Sequence, residues 1–268
     1  MARRRTIPAI LKARNADLRA VMVRDLCRAR EIAQEFGAPA WYDSVEDLLK
    51  DPEVDVVHVA TPVYLHREFV VGAARAGKHV LCEKPMALNA REAEEMVRAC
   101  REAGVVLMVA FVLRFHPGLR VVRDLLGRIG RPVLGRVQLL KLAPREHGSW
   151  RLDPELSGGG VLMDIGSHAL DLLFLLFGDV KAIWADLGNR AFDWPVEDTA
   201  RVGLRFMGGC LGEAFLSFGV PRMGRFLEVY GTEGSLFVEA DSPHTQGWRI
   251  QACEEVREVP PADLYRAG

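Results

Sequence analysis

The sequence predicts two domains: an α/β domain of parallel strands, then an α+β domain whose open sheet is mostly antiparallel. Three observations predict this. Short apolar runs alternate with helical spacings through the first third of the chain, the pattern of a doubly wound parallel sheet with right-handed crossovers. The style changes after about residue 120, where strand-like runs follow one another with hairpin turns such as Met207-Gly208-Gly209 and Gly231-Thr232-Glu233-Gly234. No internal repeat and no low-complexity linker interrupts the chain, so residues 1–118 form the first domain and 119–268 the second.

Each element has a local reason. Pro8 to Ala13 reads as the end of a helix, with Pro8 tolerable only near its first turn. Leu18–Val23 is a short apolar strand. Cys27–Phe36 places Ala29, Ile32, Ala33 and Phe36 at helical spacing and ends at Gly37. Ser44 is a natural N-cap for a short helix over Val45–Leu49. Val54–Ala60 is almost continuously apolar, as in a strand buried on both faces. Phe69–Ala76 is helical, His79–Cys82 a buried strand, Ala90–Ala103 an amphipathic helix, and Val105–Ala110 another strand. A helix over Leu119–Leu126, a strand over Val133–Leu142 and a glycine-rich turn and helix over Gly158–Phe177 open the second domain. Strands are then predicted at Val180–Leu187, Thr199–Phe206, Cys210–Phe218, Phe226–Tyr230, Ser235–Glu239 and Trp248–Ala252.

Composition narrows the class of function. Thirty-five Lys+Arg against 36 Asp+Glu leave a net charge of −1 over 268 residues, with 49% hydrophobic residues. That balance argues against a nucleic-acid binder or a charge-dependent membrane-surface protein, and for a soluble globular enzyme or a non-catalytic relative. Cys27, Cys82, Cys100, Cys210 and Cys253 are odd in number and never form C-x-x-C, so a reducing cytoplasm is expected. No apolar segment follows the basic start, and no apolar run, Leu172–Phe177 included, is long enough to cross a bilayer. Arg3-Arg4-Arg5 reads as a solvated first helix turn.

Two clusters could carry chemistry. In Ser157-Gly-Gly-Gly160 through Asp164, His168 and Asp171, the acid and the imidazole are four apart, one turn along a helix face. A carboxylate one turn from an imidazole suits general acid–base work near neutral pH, and the glycines would let backbone approach a ligand closely. A structural helix with a satisfied histidine is the bland alternative, and a metal site a third, although no further strong ligand has suitable spacing. The other cluster, Cys82-Glu83-Lys84-Pro85, ends a predicted strand, where open α/β sheets bind ligands. Its lysine could stabilise a developing alkoxide, or simply be a solvated strand-end cation. Thr61-Pro62, with His66 shortly after, ends the preceding strand in the same way.

Together, Ala60-Thr-Pro-Val-Tyr-Leu-His66, Ala76-Gly-Lys-His-Val-Leu-Cys-Glu-Lys-Pro85, Arg114-Phe-His-Pro117, Trp150 through Gly160 and Asp164-x-Gly-x-His168 resemble the glucose–fructose oxidoreductase / inositol dehydrogenase / rhizopine-catabolism (Gfo/Idh/MocA) family. The resemblance runs in order from about residue 7 to the end. It implies a Rossmann-like N-terminal domain, a C-terminal α+β domain whose open sheet commonly mediates a homodimer or homotetramer, and an NAD(P)-linked hydride transfer on a sugar, polyol or related carbinol. Carried over by position, Lys84 would stand beside the nicotinamide and the substrate hydroxyl. His168 would be the general acid/base, and Asp164 the substrate-binding carboxylate. Thr61, Pro62, His66 and Glu83 would line the cofactor cleft, Arg114 would contact cofactor or substrate, and Trp150 would wall the substrate pocket or merely pack.

Departures from the family pattern carry their own expectations. The acidic residue usual at the end of the second strand is replaced by Val23 followed by Arg24, which favours NADP over NAD unless Asp25 serves through a shifted loop. The first strand and the leading glycines of a G-x-G-x-x-G turn are missing, because Met1-Ala2 would fall on the last positions of that turn. Ala262–Gly268 likewise stops where the family would begin its last helices. The sequence therefore reads as a fragment or a mis-started reading frame. The rival readings are a non-catalytic dinucleotide or sugar-binding regulator of the same fold and an inactive truncated product.

Overall fold

The computed structural model describes residues 2–221, 224–240, 243 and 247–261. Met1 and the C-terminal stretch 262–268, on which the expected short ends partly rest, lie outside the described residues. The chain divides into two compact units between Ala110 and Phe111, so the expected boundary at 118 falls within the second. The reason is local. Arg114 forms an ion pair with Asp171, and the His116 ring stacks on Trp248 at a centroid distance of 3.9 Å, so this stretch is fastened to the second unit.

In the first unit, helices and strands alternate: α1 (Thr6–Lys12), β1 (Ala20–Met22), α2 (Leu26–Phe36), β2 (Ala40–Tyr42), α3 (Val45–Lys50), β3 (Val56–Val59), α4 (His66–Arg75), β4 (His79–Cys82), α5 (Ala90–Glu102) and β5 (Leu107–Val109). Side-chain caps start three helices: Asp25, Ser44 and Asn89 accept from the amides of Arg28, Asp47 and Glu92. Gly37, at φ +72°, ends α2 in the left-handed conformation that glycine adopts without strain. All pairings are parallel, in two sets, β1–β2 and β3–β4–β5. Val59, Val80, Cys82, Val70, Ala73 and Met96 form the core between the larger set and its helices. β3 is not buried on both faces as expected, since Val56 is 56% exposed while Val59 is only 3% exposed. β2 was not foreseen because three residues carry no periodicity. Arg3 forms an ion pair with Glu35 of α2.

In the second unit, α6 (Pro117–Leu126), α7 (Pro154–Ser157) and α8 (Ser167–Phe177) accompany an eight-stranded sheet. Its strands are β6 (Pro132–Leu140), β7 (Val180–Gly188), β8 (Thr199–Phe206), β9 (Leu211–Ser217), β10 (Arg225–Gly231), β11 (Ser235–Glu239), β12 (Trp248–Ala252) and β13 (Glu255–Val259). Their order is β13-β12-β11-β10-β6-β9-β8-β7. Every pair is antiparallel except β6–β9, which is parallel because β6 enters between β9 and β10 instead of joining a simple meander. Alternate residues Val137, Leu139, Leu204, Leu216, Leu227, Val229 and Val238 point to one face and bury against Leu119, Val122 and Leu125 of α6 and Ala169, Leu172 and Leu173 of α8. By length and composition, the helical stretch Pro154–Phe177 is apolar enough to cross a membrane, with mean hydropathy 1.6. Its α8 part places Ala169, Leu172 and Leu173 in the core of this unit. The outer face leaves Leu134, Trp184, Leu211 and Tyr230 exposed among the Arg136–Glu213 and Arg201–Glu213 ion pairs.

The connection between β7 and β8 is organised by one buried carboxylate. Asp198 accepts from the amides of Arg190, Ala191 and Phe192 and from the Thr199 hydroxyl, at 2.7–3.0 Å for its shortest contacts. Burial pushes its carboxyl up, but these bonds more than offset burial and hold it below the usual carboxylate range. Because the folded value is depressed, its stabilisation is complete above the unfolded value and is lost as pH falls through the folded one. Asp198→Asn should lower stability by about 1–3 kcal/mol at neutral pH. The difference should shrink as pH drops below about 3.9, the unfolded value. Urea unfolding of both proteins across that range checks it.

Candidate active site

The first unit brings the expected cofactor residues to the carboxyl ends of neighbouring parallel strands. Thr61-Pro62 follows β3, and Glu83-Lys84-Pro85 follows β4. His66, the first residue of α4, is 1% exposed. Its Nε2 faces the Thr61 carbonyl at 2.9 Å, and its Nδ1 faces the Pro85 and Met86 carbonyls at 3.0 and 3.3 Å. His66 therefore does not present its ring to a ligand; it ties the two strand-end loops together. Glu83 lies 3.6 Å from His58 Nε2 of β3. Burial pushes its carboxyl up, but the His58 hydrogen bond and charge outweigh burial and leave it lowered. The neighbouring Cys82 thiol is pushed up to about 12 by burial, so it stays protonated and unreactive.

One atom in this set points to a ligand. The Thr61 hydroxyl oxygen is buried with no hydrogen-bond partner. A buried orphan polar atom beside the carboxyl end of a parallel strand is where a bound group would supply the missing bond. Arg24 is exposed just past β1, while Asp25 is committed to capping α2.

In the second unit the Asp164–His168 pair lies on a helix, but not a regular one. Leu162–Gly166 form a π turn leading into α8, the kind of wide turn found at functional sites. Spacing alone showed only a regular helix. The three glycines also act differently from expectation, because they serve close approach within the protein. Gly158 ends α7 at φ +73°, and Gly160 packs against the Glu197 backbone, where a Cβ would lie 1.9 Å from the carbonyl oxygen. Glu197 grips this segment: its carboxylate accepts from the Gly160 and Leu162 amides at 2.9 and 3.0 Å, and its carbonyl accepts from Val161 at 2.9 Å.

The side chains that follow are fixed by neighbours. His168 is 5% exposed, with its ring edge-on to Phe111 at 6.1 Å. Arg114 packs over Phe111 and makes a bidentate ion pair to the buried Asp171, from Nε at 2.9 Å and Nη2 at 2.5 Å. The arginine expected to touch cofactor or substrate is thus held by α8. Asp164 receives Arg145 Nη2 at 2.6 Å, with the Arg145 side chain only 13% exposed. Arg151 lies over the Trp150 ring at 4.4 Å, so the expected wall of the pocket is a Trp–Arg stack. Arg145, Arg151, Glu197 and Phe111 escaped the sequence reading. Arg145 and Arg151 lie in a loop without periodicity, and the long-range partners of Glu197 and Phe111 leave no local signal. Among the described residues no cluster of His, Cys, Asp and Glu could hold a metal ion.

With this geometry described, comparison with known proteins gives consistent matches. Residues 1–111 match an oxidoreductase family with an NAD-binding Rossmann fold, and residues 119–237 match the GFO/IDH/MocA C-terminal domain. The chain is 40% identical to a 1,5-anhydro-D-fructose reductase of Ensifer adhaerens over 276 residues, covering 100% of this chain and 83% of that protein. The solved aldose-aldose oxidoreductase from Caulobacter crescentus, complexed with glycerol, superposes with a TM-score of 0.86 at 30% identity, covering 98% of this chain and 82% of that one. A 3-ketoreductase from Actinomadura kijaniata, in complex with TDP-benzene and NADP, gives a TM-score of 0.86 at 27% identity, with coverage of 99% and 83%.

The Gly160–Glu197 contact generates a direct expectation. Gly160→Ala should destabilise the second unit by about 1–3 kcal/mol or more, because the rigid partner is backbone and cannot move aside. A lowered urea midpoint checks it, and an unchanged midpoint would show that the contact relaxes freely.

Proposed function

The chain belongs to the GFO/IDH/MocA family of NAD(P)-dependent oxidoreductases acting on sugar and polyol hydroxyls, and from that premise we propose how its own residues divide the work. His168 is the general acid/base: in the oxidation direction it accepts the proton of a secondary hydroxyl of a sugar, cyclitol or related polyol. Asp164 binds and orients that substrate, and Lys84 assists by a hydrogen bond to the reacting oxygen. When bound, the nicotinamide supplies the hydride acceptor or donor. Thr61, Pro62 and Glu83 serve the cofactor, with His66 holding their loops, and Trp150 flanks the substrate. One observation carries this reading: a nearly buried imidazole sits one wide helical turn from a carboxylate held in a guanidinium's field.

The preferred cofactor is NADP. Arg24 stands exposed after β1, and Asp25, the alternative ribose ligand, is occupied in capping α2. The working form is a homodimer or homotetramer built through the outer sheet face, where Trp184 and Leu134 stay 53% and 46% exposed in the single chain. The protein works in the cytoplasm, consistent with five free cysteines, and without nucleic acid or membrane partners at a net charge of −1.

Two measurements test these roles. His168→Ala should lower kcat by roughly 10²–10⁴-fold while circular dichroism stays unchanged; full turnover in the variant would remove His168 from its role. Fluorescence titration should show tighter binding of NADPH than NADH, with Arg24→Ala erasing the difference. A native preference for NADH would overturn the Arg24 assignment without touching that of His168.

A further inference from the structure

Asp164, proposed to orient the substrate, has its backbone and its side chain placed from two different directions. The backbone follows from the Glu197 grip on residues 160–162, and the Asp164 amide donates to the Gly160 carbonyl at 3.0 Å. The side chain is met by Arg145, whose Nη2 donates to Oδ2 at 2.6 Å, a short charge-assisted bond across 19 residues of chain. The stretch carrying Arg145 is itself fastened to the end of β9. The Lys141 and Ala143 amides donate to the Ser217 and Phe218 carbonyls, both at 3.0 Å, and Leu142 bridges to Gly219. Just beyond, the Arg145 guanidinium lies 4.7 Å from the centre of the fully buried Phe218 ring. Phe218 thus holds the arginine twice, by its carbonyl through Ala143 and by its ring.

Two roles would produce the same contact: a plug that covers Asp164 until substrate displaces it, or a support that stays in place while substrate binds. Exposure separates them. The Arg145 side chain is 13% exposed and that of Asp164 30%. A plug sits on the solvent side of the group it covers, whereas here the arginine is the deeper partner and the carboxylate keeps an open side. Withdrawing Arg145 would also cost its seat on the Phe218 ring. A guanidinium has donors only, so the oxygen it meets is held as an acceptor, the role that binding a hydroxyl requires. We propose that Arg145 is a positioning residue for substrate binding. From the inner side it fixes the Asp164 carboxylate in the orientation that accepts a sugar or polyol hydroxyl, without touching the substrate itself. This rests on the reading of Asp164 as the residue that binds the substrate.

The test is steady-state oxidation of D-glucose, D-xylose and myo-inositol by the full chain with NADP or NAD. It compares Arg145→Met, Arg145→Lys, Asp164→Asn and the double variant carrying Arg145→Met with Asp164→Asn. Methionine keeps an apolar stem over Phe218, and dinucleotide binding with the urea midpoint certifies each variant as folded. Should Arg145→Met not fold, Arg145→Gln replaces it with the same expectations. Arg145→Met should raise KM for the sugars turned over by about 10- to 100-fold, the scale of one charge-assisted hydrogen bond, with a smaller loss in kcat. Arg145→Lys should recover part of that loss. With Asp164→Asn already present, Arg145→Met should add little, because a residue acting through Asp164 then has nothing left to position. A fall in KM for Arg145→Met would identify a plug and overturn the inference. An unchanged KM, or effects that multiply in the double variant, would overturn it too, and all three results leave the role of His168 standing. Absence of turnover for every probe by the unaltered chain, with dinucleotide still bound, overturns the assignment of the site and this inference with it.

Discussion

The arrangement of the second unit depends on how Glu197 holds three consecutive residues. Its carboxylate and carbonyl together accept from the Gly160, Val161 and Leu162 amides, at the point where a helix would otherwise leave its first N–H groups without partners. A negative side chain there also complements the positive end of the helix. The grip requires a residue without Cβ at 160, and it sets where the π turn begins. From that turn Asp164 and His168 take their positions. Remove the grip and the side chains further along have no fixed origin.

A comparable device works in the first unit with the polarity reversed. There a side chain faces carbonyls: both ring nitrogens of His66 meet backbone oxygens, of Thr61 on one loop and of Pro85 and Met86 on the next. The strand-end loops of β3 and β4 carry the residues proposed to serve the cofactor, and loops without such ties would sample many conformations. In both units one buried side chain makes a loop as definite as a helix or strand. The chemistry-bearing groups need that definition, because a misplaced donor loses most of its effect.

What could be read from the sequence follows from how local each cause is. Thr199–Phe206, Ser235–Glu239 and Trp248–Ala252 form strands over the predicted residues, since alternation and flanking turns are contained within each segment. The Ser44 cap and the Gly37 stop were likewise legible. β13 and β2 were not, because short strands are decided by their neighbours. The parallel β6–β9 pair was hidden because pairing order depends on tertiary packing. In the site, Asp164, His168 and Asp171 were visible as one cluster. The roles of Arg114, His66 and the three glycines were not, since each depends on a partner far along the chain: Asp171, Pro85 and Glu197.

These two classes of contact also divide the labour of the second unit. Asp164 and His168 stand on a helix whose opposite side is the hydrophobic core, with Ala169, Leu172 and Leu173 fully buried. Phe111, Arg114 and Asp171 brace that helix from the start of the unit. Arg145 and Arg151 belong instead to the stretch between β6 and α7, which carries little regular structure and contributes few residues to the core. Substitution in that stretch can change the charge around Asp164 at small cost in stability, whereas substitution on the helix disturbs packing and the proposed proton transfer together. The residues proposed for proton transfer are therefore constrained by the fold, and the charge around them is set by side chains that the fold leaves comparatively free.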